Sequence, residues 1–269
     1  MKVLRFGEFL NESKNELGKI ELTFVGDIKY NKEISETDNF FNEVEFIFKN
    51  SDGVIGNLET GFHGEFANED NKLSADDHLL ERLKKVGFTH LSIANNHILD
   101  YGLEGYQRTK GILEENEVGV IENKNDLKIG NYNLSVHSFT CGLNNAINEE
   151  IEKFLTDSEA IPNNESDLNI AYVHWESKSN ENQDEIIQGL INRGYNLILG
   201  SGNHKLDEIN LSEKNLTTTS LGDFLSSEKS EGGILKVILT EGIITDVVLY
   251  EVEINEKSEV IYKQRKIIK

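Results

Sequence analysis

Five apolar runs in this 269-residue chain end in the same way, and that repetition constrains the fold more than any single motif. ELTFV stops at Gly26 and Asp27, and GVI stops at Gly56, Asn57, Leu58 and Glu59. THLSIA stops at Asn95, Asn96 and His97, and NIAYV at His174, Trp175 and Glu176. NLIL stops at Gly200, Ser201, Gly202, Asn203 and His204. Short apolar runs set between helix-type segments read as buried strands. In open α/β sheets, the loops past the carboxyl ends of strands bring side chains from rigid elements to one rim. A Gly-Asp or Gly-Asn pair after one strand is ordinary turn chemistry. Asp, Asn, Glu and His at five strand ends describe a rim of ligand-type groups instead. Mixed oxygen and imidazole donors suit a divalent ion such as Mn, Fe or Zn.

Between these runs the apolar period changes. Phe40, Phe41, Val44, Ile47 and Phe48 recur at helical spacing. Ser74 followed by Asp77 reads as a capping box ahead of a stripe of Leu79, Leu80, Leu83 and Val86. A strand is expected over 88–95, a helix over 104–116, and strands near 118–121 and 132–139. A strand over 168–176, a helix carrying Ile186, Ile187, Leu190 and Ile191, and a strand over 197–200 follow. TTTSLGDF, GGILKVILT, GIITDVVLYEVEI and EVIYKQRKI read as antiparallel strands joined by short turns. Units of βα type followed by a β-rich end predict a layered α/β architecture. With Pro162 the only proline and no linker-like stretch, one domain over 1–269 is expected, its motifs in about 20–225 and its β-rich part over 226–269.

The charge balance, 48 acids against 27 bases for a net −21, disfavours nucleic acid and anionic membrane as partners. It leaves room for a small-molecule or polymer substrate, anionic included, because a bound metal reverses the local potential. The single cysteine, Cys141, excludes an intrachain disulfide and a cysteine-built zinc site. No stretch has the apolar length of a membrane span or a signal-peptide core, so a cytoplasmic location is expected.

Taken in order, GD (26–27), NLET (57–60), NNHILDYG (95–102), HW (174–175), the Gly…His turn and SLGDF (220–224) resemble a known family. It is that of the bacterial capsule-synthesis proteins associated with poly-γ-glutamate, a branch of the calcineurin-like metallophosphoesterase superfamily. The resemblance covers roughly residues 20 to 250, and NNHILDYG is its most specific element. The resemblance implies a four-layer αββα sandwich with a metal site of one or two ions at the strand ends. It implies Asp27, Asn96, His174 and His204 as ligands, with Asn57 or Glu59 at the position of the bridging carboxylate. His97 would protonate a leaving group, oriented by Asp100.

The departures are local. Ser201 stands where a ligand histidine is expected, and a hydroxyl replaces an imidazole poorly on a transition metal. Lys29 stands where many superfamily members carry another histidine. Glu176 and Asp223, where the family has Gly and Asn, are candidate compensating carboxylates. Two functions follow: a metal-dependent hydrolase of a phosphoester or a bond of similar geometry, and a non-catalytic binding component of polymer assembly on the same fold. His63, His78, His90 and His137 read as loop, helix-surface or strand-packing residues.

Overall fold

The computed structural model describes residues 18–31, 34, 40–62, 73–141, 161–175 and 183–269; Glu176 and His63 lie outside them. Two-residue periodicity in the strands decides the layers. On β1 (Lys19–Ile28), Leu22 and Phe24 join one apolar cluster while Val25 joins another, and all three are fully buried. On β7 (Leu168–Trp175), Ile170 and Tyr172 join the cluster of Leu22 and Phe24, while Ala171, Val173 and Trp175 join a third. Each of these strands therefore has apolar residues on both faces, so a layer must cover each side of both sheets.

The first sheet holds β1, β2 (Gly53–Leu58), β3 (His90–Ser92), β4 (Gly119–Ile121), β12 (Ser230–Thr240), β13 (Ile243–Ile254) and β14 (Val260–Ile267). Its order is β14-β13-β12-β1-β2-β3-β4, and β11 (Asp223–Leu225) pairs with β1 off that path. The second holds β5 (Asn123–Ile129), β6 (Tyr132–Cys141), β7, β8 (Leu197–Ser201), β10 (Leu216–Thr218) and β9 (Asn210–Leu211), in that order. Helices α1 (Glu45–Phe48), α2 (Asp77–Val86) and α3 (Gly102–Glu115) bury Phe48, Leu79, Leu83 and Leu113 in one cluster with Val25 and Val54. Leu22, Phe24 and Ile55 meet Val136, Tyr172 and Leu199 between the sheets. Ile187 and Leu190 of α4 (Gln183–Arg193) cover Val173 and Ile198 on the far side. The result is the αββα sandwich expected.

Several local expectations are corrected. Phe40 to Val44 form turns, and only Glu45–Phe48 is helical. The Phe40 and Phe41 rings meet edge to face at 4.6 Å and Phe41 stacks on Phe224 at 4.9 Å, so aromatic packing set their spacing. The cap of α2 is Asp76, whose Oδ1 accepts from Leu79 N at 3.0 Å, not the Ser74–Asp77 pair. β3 has three residues because the chain leaves the ladder early to form a capped turn. The edge strand β5, NKNDLKI, has only Leu127 and Ile129 as an apolar alternation to announce it. TTTSLGDF is not a strand of the C-terminal meander. Its two short strands lie in different sheets, β10 parallel to β8 and antiparallel to β9, and β11 parallel to β1. The β12–β13–β14 meander is antiparallel as expected.

One feature of the first sheet positions the site. β1 pairs with β12 as far as Val25 and Ile234, then with β11, which places Asp223 opposite Asp27. On its other side Asp27 lies opposite Asn57 of β2. The fork depends on glycine: a Cβ on Gly26 would fall 1.8 Å from the Gly222 carbonyl oxygen. Gly222 itself has φ +69°, where a side chain is strained. Among the described residues, no helix is long and apolar enough to cross a membrane.

Candidate metal centre

Asp27, at the end of β1, is fully buried and surrounded by donors. Its Oδ1 accepts from Asn57 Nδ2 at 2.7 Å, and its Oδ2 accepts from the Gly202 backbone N–H at 2.7 Å. His174 Nδ1 lies 3.6 Å from Oδ1, and His204 Nδ1 lies 3.6 Å from Oδ2. Strand register explains the convergence: β7 and β8 set His174 opposite Ser201, and the turn after Ser201 carries Gly202 and His204. Ser201 Oγ sits 3.1 Å from His174 Nδ1, as does Asn57 Nδ2.

The asparagines after β3 divide the work. Asn95 Oδ1 accepts from the N–H groups of His97 and Ile98, both at 3.1 Å, and so caps the 3₁₀ turn Asn96–Leu99. Its Nδ2 donates to the Leu58 carbonyl at 2.8 Å and to Asn57 Oδ1 at 3.2 Å, tying the turn to the end of β2. Asn57 thus directs its nitrogen at Asp27 and commits its oxygen to Asn95. Glu59, buried nearby, has Oε1 3.7 Å from both His97 Nε2 and His174 Nε2, and its Oε2 has no hydrogen-bond partner among the described residues. Asn96 Oδ1 is likewise buried without a partner. Of Asn57 and Glu59, it is Glu59 that has an uncommitted buried oxygen. His97 Nδ1 is 2.8 Å from Asp100 Oδ2, so Asp100 serves the histidine rather than capping α3.

His204, in a turn with φ +54°, places Nδ1 3.0 Å from Asp223 Oδ1. Asp27, His204 and Asp223 each offer a ligand-type atom within 4.8 Å of the others. Lys29 Nζ completes this side, 3.1 Å from Asp223 Oδ2 and 3.4 Å from His204 Nδ1. Trp175 is core, packed with Val173 and Leu190. His137 is buried with Nδ1 2.9 Å from Tyr195 Oη, and the His90 ring is bonded to Thr89. His78 is partly buried, its ring edge-on to Phe40 at 6.1 Å.

The residues fit a divalent ion. Glu59 Oε2 and Asn96 Oδ1 are buried without donors, Asp223 Oδ2 has only the Lys29 ion pair, and a carboxylate–imidazole–carboxylate triplet includes Asp223; such acceptors are costly to bury unless a cation or proton meets them. Motif reading named all of these residues but placed Asn95 among the ligand-type groups and gave Gly202 no role. An asparagine directly before a short turn is an N-cap signal that would have assigned Asn95 its capping role. The Gly202 bond depends on contacts 175 positions apart and has no local signal.

Charge is strongly coupled here. Burial raises the Asp27 pKa, but the nearby imidazoles of His174 and His204 and the hydrogen bond from Asn57 overcome it and hold the group well below the usual carboxylate range. Burial and the Asp27 charge push Glu59 up to about 7 against three histidines. His97 is raised despite burial by its bond to Asp100 and the Glu59 charge. His204 is pushed up to about 10, chiefly by its hydrogen bonds to Asp223 and Asp27. Folded Glu59 binds its proton more tightly than the unfolded chain, whose value is 4.5, so its contribution is full at low pH and is lost as pH rises toward 7. In chelator-treated protein, unfolding free energy from urea melts is expected to fall as pH rises from about 4 to 8, Glu59 contributing on the order of 3 kcal/mol and the raised His97 and His204 adding to the fall. The Glu59→Gln variant should lack that part of the fall; an unchanged profile would show that Glu59 is not the group responsible.

Residues 21–228 match the family model described as bacterial capsule synthesis protein PGA_cap. The chain is 28% identical over 245 residues to the capsule biosynthesis protein CapA of Bacillus anthracis, covering 77% of this chain and 60% of that protein. It is 26% identical over 239 residues to the PGA biosynthesis protein CapA of Bacillus subtilis (strain 168), covering 77% and 63%. The chain therefore matches less than two thirds of the length of these relatives. A hypothetical protein from Thermus thermophilus superposes with TM-score 0.57 at 17% identity, over 87% of this chain and 99% of that one. A phosphatase from Mycoplasma pneumoniae does so with TM-score 0.53 at 14% identity, over 93% and 92%. At such identities the likeness to both structures is one of fold.

Proposed function

The chain belongs to the bacterial capsule synthesis protein family PGA_cap, and from that membership we propose that it is a metal-dependent hydrolase of a phosphoester, or of a bond of similar geometry, in capsule-polymer synthesis. The observation that carries the reading is Glu59, a buried carboxylate with one uncommitted oxygen, set between His97 and His174 and close to the Asp27 network.

Asp27, Glu59, Asn96, His174 and His204 would hold the ion, while Asp223 is paired with Lys29. Once bound, it would polarise a phosphoryl oxygen and lower the pKa of a water molecule there. The remaining work belongs to the protein. Asp100 fixes the His97 ring through Nδ1, leaving Nε2 toward Glu59. A protonated His97 would pass its Nε2 proton to the departing oxygen. The nearby Glu59 charge favours that protonated form before the proton leaves. Gly202 and Asn57 hold Asp27 in one orientation with two donors, so it meets a ligand without reorganising.

The relatives' names favour a capsule polymer or its precursor as the substrate context. The competing reading, a binding component without turnover, draws on Ser201, which stands in a ligand position and is hydrogen-bonded to His174 instead. The test is release of nitrophenol from p-nitrophenyl phosphate and bis(p-nitrophenyl) phosphate by full-length protein, with manganese and with chelator. Manganese-dependent release that the Asp27→Asn variant lacks supports the hydrolase. Release from neither ester above that variant's level leaves the binding reading.

A further inference from the structure

We propose that Lys29 is a built-in cation at the Asp27–His204–Asp223 triplet, so that the protein takes a single divalent ion. The inference rests on the metal-centre reading above and adds its stoichiometry. Lys29 lies two residues beyond Asp27, where β1 forks toward β11, and its backbone N–H donates to the Leu225 carbonyl at 2.8 Å. This anchor fixes where its side chain starts. Nζ ends 3.1 Å from Asp223 Oδ2 and 3.4 Å from His204 Nδ1, with 16% of the side chain exposed. An ammonium has three donors and no lone pair, so it cannot be a ligand. It can replace an ion by neutralising the same acceptors.

Asp223 holds its two oxygens against His204 and Lys29, at 3.0 Å and 3.1 Å. It is 1% exposed, and a carboxylate taken out of water needs a counter-charge. Lys29 supplies one at contact distance. The triplet Asp27–His204–Asp223 is thus already bridged by protein charge at Asp223. The uncommitted oxygens of Glu59 and Asn96 are not met by Lys29 in any contact described; they remain for an ion. A lysine ammonium also holds phosphate oxygens as a point charge. Lys29 would therefore supply, on its side of the centre, the fixed positive charge that a second ion supplies elsewhere.

The test is titration of the chelator-stripped full chain with manganese chloride by calorimetry, on wild type and on Lys29→His, Lys29→Met and Lys29→Arg. The proposal expects one ion on wild type and on Lys29→Arg, and two on Lys29→His. Lys29→Met, which frees Asp223 without adding a ligand, should also gain a second, weaker binding event. Two ions on wild type would overturn the inference and leave the metal centre standing. One ion on wild type and on every variant would overturn it too, because Lys29 would not be what limits the count. No ion on any of the folded proteins would overturn the metal-centre reading itself, and the inference with it.

Discussion

Replacing His97 by alanine is expected to lower turnover of a phosphoester by roughly 10²–10⁴-fold while metal content stays at the wild-type level, the usual scale for loss of a general acid. The separation follows from the local structure. The turn that carries His97 is held by Asn95, whose side chain caps it and ties it to Leu58 and Asn57, so the backbone does not depend on the imidazole. His97 is bonded to Asp100 on one side and faces Glu59 at 3.7 Å on the other; neither bond supports the sheet. Kinetics and elemental analysis on one preparation check the result. Asp100→Asn should act more mildly and in a diagnostic way. Without the carboxylate that raises the His97 pKa, the alkaline limb of the pH–rate profile should move to lower pH. Loss of metal together with turnover in His97→Ala would make His97 a ligand, and unchanged turnover would remove it from the reaction.

Asp27→Ala should be the most damaging single change for both fold and metal. It leaves the Gly202 N–H and Asn57 Nδ2 without their acceptor in a fully buried place, and it removes the charge opposite His174 and His204. Each orphaned buried donor costs about 1–3 kcal/mol. Breaking a buried charge pair costs about 3–5 kcal/mol. These overlap, so a loss of about 3–5 kcal/mol is expected in urea melts of chelated protein. Asp27→Asn keeps the shape and one acceptor oxygen, so it should unfold less readily than Asp27→Ala while still losing the ion. An Asp27→Ala protein as stable as wild type would mean that the hydrogen bonds around this carboxylate contribute nothing net.

The strand ends were readable because their signal is local: an apolar run stops and Asp27, Asn57, His97, His174 or His204 follows within a few residues. The layers were readable for the same reason, through short apolar runs set between helix-type segments and the apolar stripe of α2. The fork was not. Asp223 reaches Asp27 through a pairing of segments 196 positions apart, and TTTSLGDF looks like one strand while serving two sheets. Lys29 was visible as a missing histidine, but its partner was not, because an ion pair to Asp223 exists only once β11 has displaced β12 beside β1. Between Asn57 and Glu59 the sequence offered no choice. The Asn95 bond that commits the Asn57 oxygen is a tertiary contact 38 positions long. Glu176 falls outside the described residues.

The rim of strand ends, read as a metal centre, should hold an ion that depends on Asp27. The most direct measurement is elemental analysis of wild-type protein and Asp27→Asn, each reconstituted with manganese and dialysed, with circular dichroism to confirm that both are folded. A stoichiometric ion on wild type and none on Asp27→Asn is the predicted result. A folded wild-type protein that retains no more manganese than Asp27→Asn would contradict it.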